Sequence, residues 1–143
     1  MTEETVTKAA IRGLTTIGWR VLAFDYPQSG STFRLKRVGS SANTIIPDIV
    51  AAKGDTVIIV ETKVHLDRSD HQKLIALRDE WGLYAESLDV VLPPGEMDCV
   101  RFGQCCACGP AAASTQGSDF QLDFLMCVTE DHVLRIVIGS LTP

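Results

Sequence analysis

Residues 45 to 63 constrain the fold of this chain more than any other segment. Two runs rich in strand-forming residues, Ile45 to Ala52 and Thr56 to Lys63, flank the tripeptide Lys53-Gly54-Asp55. A connection this short joins neighbouring antiparallel strands, and a glycine within it is typical of such turns. The segment therefore predicts a β-hairpin.

A helix and a strand are predicted before this hairpin. Thr2 is a suitable N-cap, and Glu3 and Glu4 suit the positive first turn of a helix. Gly18 is a natural stop. The next segment, Trp19 to Tyr26, is rich in strand formers and ends before a proline. Apolar residues of the helix recur at steps of three and four, at Val6, Ala10, Leu14 and Ile17.

A loop precedes the hairpin and a second helix follows it. Residues 27 to 44 combine glycines, serines and basic residues without a sustained period, so we expect a long loop, which in a compact domain is usually functional or mobile. Ser69 or Asp70 can cap the second helix, which closes at Gly82. The predicted order to this point is helix, three strands, helix.

The last third of the chain has a weaker pattern. Val90 to Leu92 is predicted as a strand that is cut off by Pro93, and Cys99 to Cys105 is a second candidate. Phe120 to Val128 and Val133 to Ile138 predict a hairpin that turns at Glu130 and Asp131. Small and polar residues from 109 to 118 predict a flexible loop.

Length and composition predict one domain. A chain of 143 residues that is 45% hydrophobic has enough apolar material for one compact core. We expect a core over residues 1 to 92 and a β-rich extension over residues 93 to 143. No apolar run approaches the roughly 20 residues of a spanning helix, and the opening MTEETVTK lacks the basic and then apolar character of a secretory signal. These features predict a soluble, cytoplasmic protein with no membrane partner.

The chain has five cysteines, an odd number, and in a reducing compartment the expectation is free thiols that pack as small hydrophobes. A structural zinc is the alternative, since two of them form a C-x-x-C, but a second paired cluster is absent from the sequence. The five residues are Cys99, Cys105, Cys106, Cys108 and Cys127.

The net charge of -5 conceals an asymmetry along the chain. Residues 1 to 82 carry eleven Lys and Arg against ten Asp and Glu, whereas residues 83 to 143 carry two against eight. The basic side chains thus belong to the part that contains the hairpin. A local positive surface for a nucleic acid is compatible with an acidic protein.

The predicted hairpin brings charged residues to one edge of a sheet. Alternate residues of a strand share a face, so Glu61 and Lys63 project to one side and Thr62 to the other. Asp48 lies on the partner strand. Two carboxylates at such an edge suit Mg²⁺ or Mn²⁺, which take few protein ligands when a phosphate supplies the rest. The alternative is a solvated edge where Glu61 and Lys63 pair weakly.

These residue types are suited to phosphodiester hydrolysis. A metal ion held by Asp48 and Glu61 would draw charge from the scissile phosphate, and Lys63 would orient the attacking water or stabilise the transition state. The backbone carbonyl of Thr62 is a further candidate ligand.

The stretch IPDIVAAKGDTVIIVETKVH resembles the PD-(D/E)XK nuclease superfamily, with Pro47, Asp48, Glu61 and Lys63 at the four signature positions. It is similar to archaeal Holliday-junction resolvases and compact type II restriction endonucleases, which share a Gly-aromatic pair after the first helix and a Ser-Gly loop before the Pro-Asp. The resemblance covers residues 1 to about 92. It implies an α/β, restriction-endonuclease-like αβββαβ core with a mixed central sheet flanked by helices. It also implies that Asp48 and Glu61 are metal ligands and that Lys63 is the catalytic lysine.

Members of this superfamily often add a glutamate of the first helix to the site. Glu3 is the better candidate because it shares the face of Val6 and Ala10, whereas Glu4 does not. The alternative is that both acids simply favour the helix start. Contacts with DNA are expected from loop and helix residues, with solvated polarity as the alternative for each. The candidates are Ser29, Ser31, Arg34, Lys36, Arg37 and Lys73.

Three functions are therefore considered. The first is a Mg²⁺-dependent DNA endonuclease of the restriction or junction-resolving type that works as a homodimer, since cutting two strands with one small site per chain requires two copies. The second is a catalytically silent nuclease-fold subunit that contributes DNA contacts to a larger assembly. The third is an unrelated α/β protein in which the motif is accidental.

Overall fold

The structure, a computed structural model, describes residues 1–27, 29–30, 33–40, 44–66, 68–93, 95–109 and 120–143. Two helices and eight strands lie in these ranges, together with two 3₁₀ helices, Trp81–Leu83 and Ala85–Val90. The helices and strands are α1 (Glu3–Thr16), β1 (Arg20–Phe24), β2 (Leu35–Lys36), β3 (Thr44–Ile45), β4 (Ile49–Lys53), β5 (Thr56–Thr62), α2 (Arg68–Asp79), β6 (Cys99–Ala107), β7 (Phe124–Val128) and β8 (Leu134–Gly139).

Helix α1 forms as its sequence predicts. The Thr2 hydroxyl accepts a hydrogen bond from the Thr5 amide at 3.1 Å, which satisfies one of the free amides at the helix start. The helix ends at Thr16, and Gly18 follows with φ +97°, a conformation that favours glycine. Its apolar stripe is fully buried against the sheet, at Val6, Ala9, Ala10 and Leu14.

Six of the strands form one mixed sheet in the order β1-β4-β5-β6-β7-β8. The β5–β6 and β6–β7 pairs are parallel and the other three pairs are antiparallel. The predicted hairpin of β4 and β5 is confirmed, with Lys53 opposite Thr56. Helix α1 packs on one face of this sheet and α2 on the other. This mixed α/β architecture is consistent with the predicted restriction-endonuclease-like core.

The predicted strand from Val90 to Leu92 is wrong. Residues Ala85–Val90 form a 3₁₀ helix instead, because Leu88 and Leu92 are both buried in the core on the α2 side while Val90 is exposed. The strand that enters the sheet after α2 is β6, which pairs with β5 in parallel. The last strand of the predicted αβββαβ core is therefore β6, residues 99 to 107, rather than residues 90 to 92.

The stretch from 27 to 44 also differs from the expected loop in one respect. Strands β2 and β3 form a two-stranded ribbon in which Leu35 lies opposite Ile45. Leu35 is fully buried among the residues that α2 covers. One apolar side chain packed on the core is enough to order the centre of a segment that has no periodicity.

The C-terminal hairpin is confirmed, with a first strand that begins at Phe124 rather than Phe120 and a second that is shifted by one residue. Strands β7 and β8 pair in antiparallel fashion from Phe124 opposite Gly139 to Val128 opposite Leu134. Most of the predicted flexible loop, residues 110 to 118, lies outside the described residues. Among the described helices, none has both the length and the apolar character that crossing a bilayer requires.

The cysteines differ from the expectation of free thiols. Cys108 and Cys127 form a disulfide, because the parallel pairing of β6 with β7 brings their Cα atoms to 4.9 Å. Cys99, Cys105 and Cys106 are free, and the last two are buried as predicted for small hydrophobes. Burial raises the pKa of the Cys106 thiol to about 11, so this sulfur is a poor nucleophile at neutral pH.

Candidate active site

Asp48 immediately precedes β4 and ties the two strands of the hairpin together. Its Oδ2 accepts hydrogen bonds from the Thr62 amide at 2.8 Å and from the Thr62 hydroxyl at 3.2 Å. Its carbonyl accepts a hydrogen bond from the Asp25 amide at 2.8 Å. The carboxyl group is therefore fixed at the sheet edge where β5 ends. Burial raises the pKa of Asp48 above its ordinary value, although the bonds from Thr62 oppose that shift.

Glu61 is the next-to-last residue of β5 and is 7% exposed. Its carboxyl group contacts that of Asp48 by a side-chain hydrogen bond. Burial, and next the charge of Asp48, raise the pKa of Glu61 to about 9, while the nearby Lys73 ammonium opposes the rise. A pKa this far above the ordinary value keeps Glu61 protonated at neutral pH beside the half-buried Asp48.

Thr62 points to the opposite face, as the alternation of β5 predicts. Its side chain is fully buried, and its hydroxyl lies 2.5 Å from the hydroxyl of Thr7 on α1. This contact fixes α1 against the end of β5. The role of the Thr62 carbonyl as a metal ligand stays a prediction.

Lys63 follows β5 and lies between the two helices. Its Nζ is 3.8 Å from Glu3 Oε1 at the start of α1 and 3.6 Å from Asp70 Oδ2 at the start of α2. The charge of Asp70, and next that of Glu3, raise the pKa of Lys63. Glu4 is directed elsewhere, with its Oε1 3.4 Å from Lys8 Nζ. Of the two first-turn acids, Glu3 is therefore the one that contacts the motif.

The predicted DNA contacts are spread over several surfaces. Arg34 and Lys36 are exposed, and Arg37 Nε donates to Glu80 Oε2 at 3.0 Å. Lys73 is close enough to Glu61 to act on its charge. Arg37 and Lys73 both line a cavity of about 500 Å³ beside α2. Ser31 lies outside the described residues.

Ser29 is a predicted contact that lines the same cleft as Asp48. Its hydroxyl accepts from the Tyr26 amide at 3.3 Å and donates to Asp25 Oδ1 at 3.4 Å. It lines a cleft of about 430 Å³, which we call the Asp48 cleft. The residues that line it are Glu3, Thr7, Asp25, Tyr26, Pro27, Ser29, Gly30 and Asp48.

Sequence reasoning missed Asp70 and Thr7 as parts of this arrangement. The prediction that Ser69 or Asp70 caps the second helix is wrong, because α2 begins at Arg68 and Asp70 lies in its first turn, beside Lys63. Asp70 Oδ2 is buried and, within the described part of the chain, accepts no hydrogen bond. The sequence signal that could have identified Asp70 is an acidic residue in the first turn of a helix that starts just after the Glu-x-Lys motif. Thr7 carried no signal in the sequence.

The acidic pair suits a divalent cation. Glu61 carries a proton beside Asp48, and a Mg²⁺ ion would replace that proton and neutralise both carboxylates. Among the described residues, no three His, Cys, Asp or Glu side chains are grouped to hold a metal. The remaining ligands would therefore come from water, phosphate and backbone oxygen, which is usual for Mg²⁺.

Comparison with known proteins gives matches to solved structures at low sequence identity. No protein-family profile and no curated protein matches the sequence. An XisH family protein from Nostoc punctiforme PCC 73102 has a TM-score of 0.43 at 16% identity, over 94% of this chain and 99% of that one. An FdxN element excision controlling factor protein from Anabaena variabilis has a TM-score of 0.42 at 15% identity, with the same coverage.

Proposed function

We propose that this chain is a Mg²⁺-dependent DNA endonuclease that hydrolyses phosphodiester bonds. The observation that carries this proposal is the convergence of Asp48, Glu61 and Lys63 at one sheet edge. There the two carboxyl groups contact each other, and the lysine lies between Glu3 and Asp70. A buried acidic pair beside a fixed ammonium supplies both the cation site and the positive charge that phosphoryl chemistry needs.

Each residue has a distinct role in this proposal. Bound Mg²⁺ would polarise the scissile phosphate and lower the pKa of the attacking water. Asp48 and Glu61 bind the ion, and Thr62 holds Asp48 in place through two hydrogen bonds. Lys63 stays protonated between Glu3 and Asp70, so it donates hydrogen bonds to the water or the phosphate rather than accepting a proton.

The proposal includes a homodimer and a location where DNA is present. One chain supplies one Asp48–Glu61 pair, so cutting both strands of a duplex or junction requires a second copy. Support for DNA as the substrate is the concentration of basic residues in the first 82 positions of an acidic protein.

A cleavage assay with matched variants tests the proposal. Wild-type protein is incubated with plasmid, linear duplex, single-stranded and four-way-junction DNA in Mg²⁺, Mn²⁺ or EDTA. We expect cleavage in either metal and none in EDTA, with a loss of at least about a hundredfold in Glu61→Ala and Lys63→Ala. Lys53→Ala and Glu86→Ala are the controls, because both residues are exposed and Lys53 lies at the opposite end of the hairpin.

Two results would overturn the proposed hydrolysis. One is that wild type cuts no DNA in any metal. The other is that the Glu61 and Lys63 variants cut as fast as the controls. DNA binding without cleavage would instead identify a catalytically silent subunit of a larger assembly.

A further inference from the structure

A second and smaller cavity, of about 270 Å³, lies beside the Asp48 cleft. Ser29 and Gly30 line both cavities, so the two are neighbours across this dipeptide. The other lining residues are apolar and include two aromatic rings. We call this cavity the aromatic pocket, and its other lining residues are Leu22, Ala23, Phe24, Phe33 and Val91.

Phe24 and Tyr26 connect the two cavities. Phe24 lines the aromatic pocket and Tyr26 lines the Asp48 cleft, and their rings are stacked with centroids 5.6 Å apart and planes at 17°. The Lys8 ammonium lies 5.1 Å from the Tyr26 centroid. Phe24 is 39% exposed, so its ring keeps free surface for another planar group. The stacked rings therefore have the Lys8 ammonium at the Tyr26 end and an accessible ring face at the Phe24 end.

The chemistry of this surface suits a nucleobase. A base has a flat aromatic face that stacks on Phe or Tyr, and such stacking is a main source of affinity for single strands. The exposed Arg34, which follows Phe33 in the sequence, supplies positive charge for a flanking phosphate. The aromatic pocket is smaller than a typical site for a drug-sized molecule, and its size fits one ring system.

A base within an intact duplex cannot enter such a pocket. Its faces are already covered by neighbouring base pairs, and extruding it costs free energy that an unpaired base does not pay. A pocket next to a phosphodiester-cleaving centre thus discriminates between unpaired and paired DNA.

We propose that the aromatic pocket binds an unpaired nucleobase adjacent to the scissile phosphate, which makes single-stranded or flapped DNA the preferred substrate. The inference rests on the proposed function, because it is the Asp48 cleft that would hold the phosphate. Phe24 determines specificity in this arrangement and takes no part in the hydrolysis.

Binding in EDTA, where no hydrolysis occurs, tests this inference. Fluorescence anisotropy is measured with a labelled single strand and with the same strand annealed to its complement. Phe24→Leu keeps an apolar side chain and removes the ring, and Phe24→Tyr restores a ring. We expect Phe24→Leu to weaken single-strand binding about tenfold and Phe24→Tyr to bind as wild type does. Duplex binding should be the same in all three proteins.

Ile136→Leu is the matched control. Ile136 is an exposed apolar residue on β8, which lies at the opposite edge of the sheet from β1. Thermal melting of each variant establishes that it is folded. The inference is overturned if Phe24→Leu binds the single strand as tightly as wild type, if it loses single-strand and duplex binding equally, or if wild type prefers the duplex.

Cleavage in Mg²⁺ separates this inference from the proposed function. Hydrolysis of duplex DNA at the same rate by wild type and Phe24→Leu, with no preference for single strands, overturns the inference and leaves the proposed hydrolysis standing. Ring-dependent binding of single strands without cleavage in any metal supports base binding in the aromatic pocket but overturns the hydrolysis, and with it the assignment of single strands as a substrate.

Discussion

Asp48 and Glu61 place two carboxyl groups where burial disfavours even one negative charge. Each is held by groups that leave little freedom, Asp48 by Thr62 and Glu61 by its position inside β5. Lys63 has the opposite surroundings, since Glu3 and Asp70 both favour its charged form. The two carboxyl groups thus have too little positive charge around them, whereas the Lys63 ammonium is already balanced by Glu3 and Asp70. A divalent cation would balance the carboxylates without disturbing the ion pairs of Lys63.

Replacement of Glu61 by Gln should alter the pH dependence of stability. The pKa of Glu61 rises from 4.5 to about 9 on folding, so the folded state retains a proton that the unfolded chain loses in between. The free energy of unfolding therefore falls as pH rises through this window. We expect Glu61→Gln to be more stable than wild type at pH 8. Between pH 5 and pH 8 the free energy of unfolding of wild type should fall by up to about 4 kcal/mol more than that of Glu61→Gln.

Urea denaturation in EDTA at a series of pH values measures this effect. Glu86→Gln is the control, since Glu86 is exposed and lies on the 3₁₀ helix Ala85–Val90 rather than in the sheet. Parallel stability curves for wild type and Glu61→Gln would contradict the raised pKa.

Replacement of Glu3 by Gln should slow DNA cleavage and leave folding intact. The change removes the charge that lies 3.8 Å from Lys63 Nζ but keeps the shape of the side chain. Asp70 still contacts Lys63, so we expect a loss of about tenfold in the single-turnover rate rather than a complete one. Glu4→Gln is the matched control, because Glu4 pairs with Lys8. Equal rates for the two variants would remove Glu3 from the site.

At the scale of elements, the site depends on where three chain segments end or begin. Strand β5 delivers Glu61 to the α2 side, Thr62 to the α1 side and Lys63 between them. The first turn of each helix then meets this strand end. Helix α1 is held there by the contact between Thr7 and Thr62, and α2 by its burial of Leu74 and Leu77.

The elements with a clear local signal were predictable from the sequence. The two runs of strand formers around the turn Lys53-Gly54-Asp55 predicted the hairpin, and the Thr2 cap with the apolar stripe predicted α1. The segment around Val90 was not predictable, because its apolar residues fit a strand until Leu88 and Leu92 are seen to pack on the core together. Asp70 and Thr7 joined the site through tertiary packing, which a local pattern does not encode.

Reduction of the disulfide should lower stability without changing the site. Cys108 and Cys127 are 19 residues apart in the sequence, and closing a loop of this length restricts the unfolded chain. Cys108→Ser with Cys127→Ser should therefore cost about 3 kcal/mol of unfolding free energy, measured by urea denaturation. The double variant should be insensitive to dithiothreitol, whereas Cys99→Ser should respond as wild type does. An unchanged midpoint on reduction would show that the bond contributes nothing.

At the scale of the whole molecule, the sheet lies between the two helices. Charged residues from α1, β5 and α2 meet at one edge of this arrangement, where β5 ends. Two distinct core clusters, one on each face of the sheet, support this edge from both sides. A ligand bound to Asp48 and Glu61 therefore links the start of β4 to the end of β5. These strands belong to a sheet that α1 covers on one face and α2 on the other. Its binding free energy should add to the stability of the entire fold rather than to one loop.

Binding of Mg²⁺ should raise the melting temperature in a pH-dependent way. At a metal concentration of a hundred times the dissociation constant, the gain is about 2.7 kcal/mol. The ion competes with the proton on Glu61, so the gain should be larger at pH 8 than at pH 6. In Glu61→Gln it should fall sharply at both pH values, while Glu86→Gln should respond as wild type does. Differential scanning calorimetry with Mg²⁺ or EDTA measures this without any DNA, and an identical response in wild type and Glu61→Gln would place the metal elsewhere.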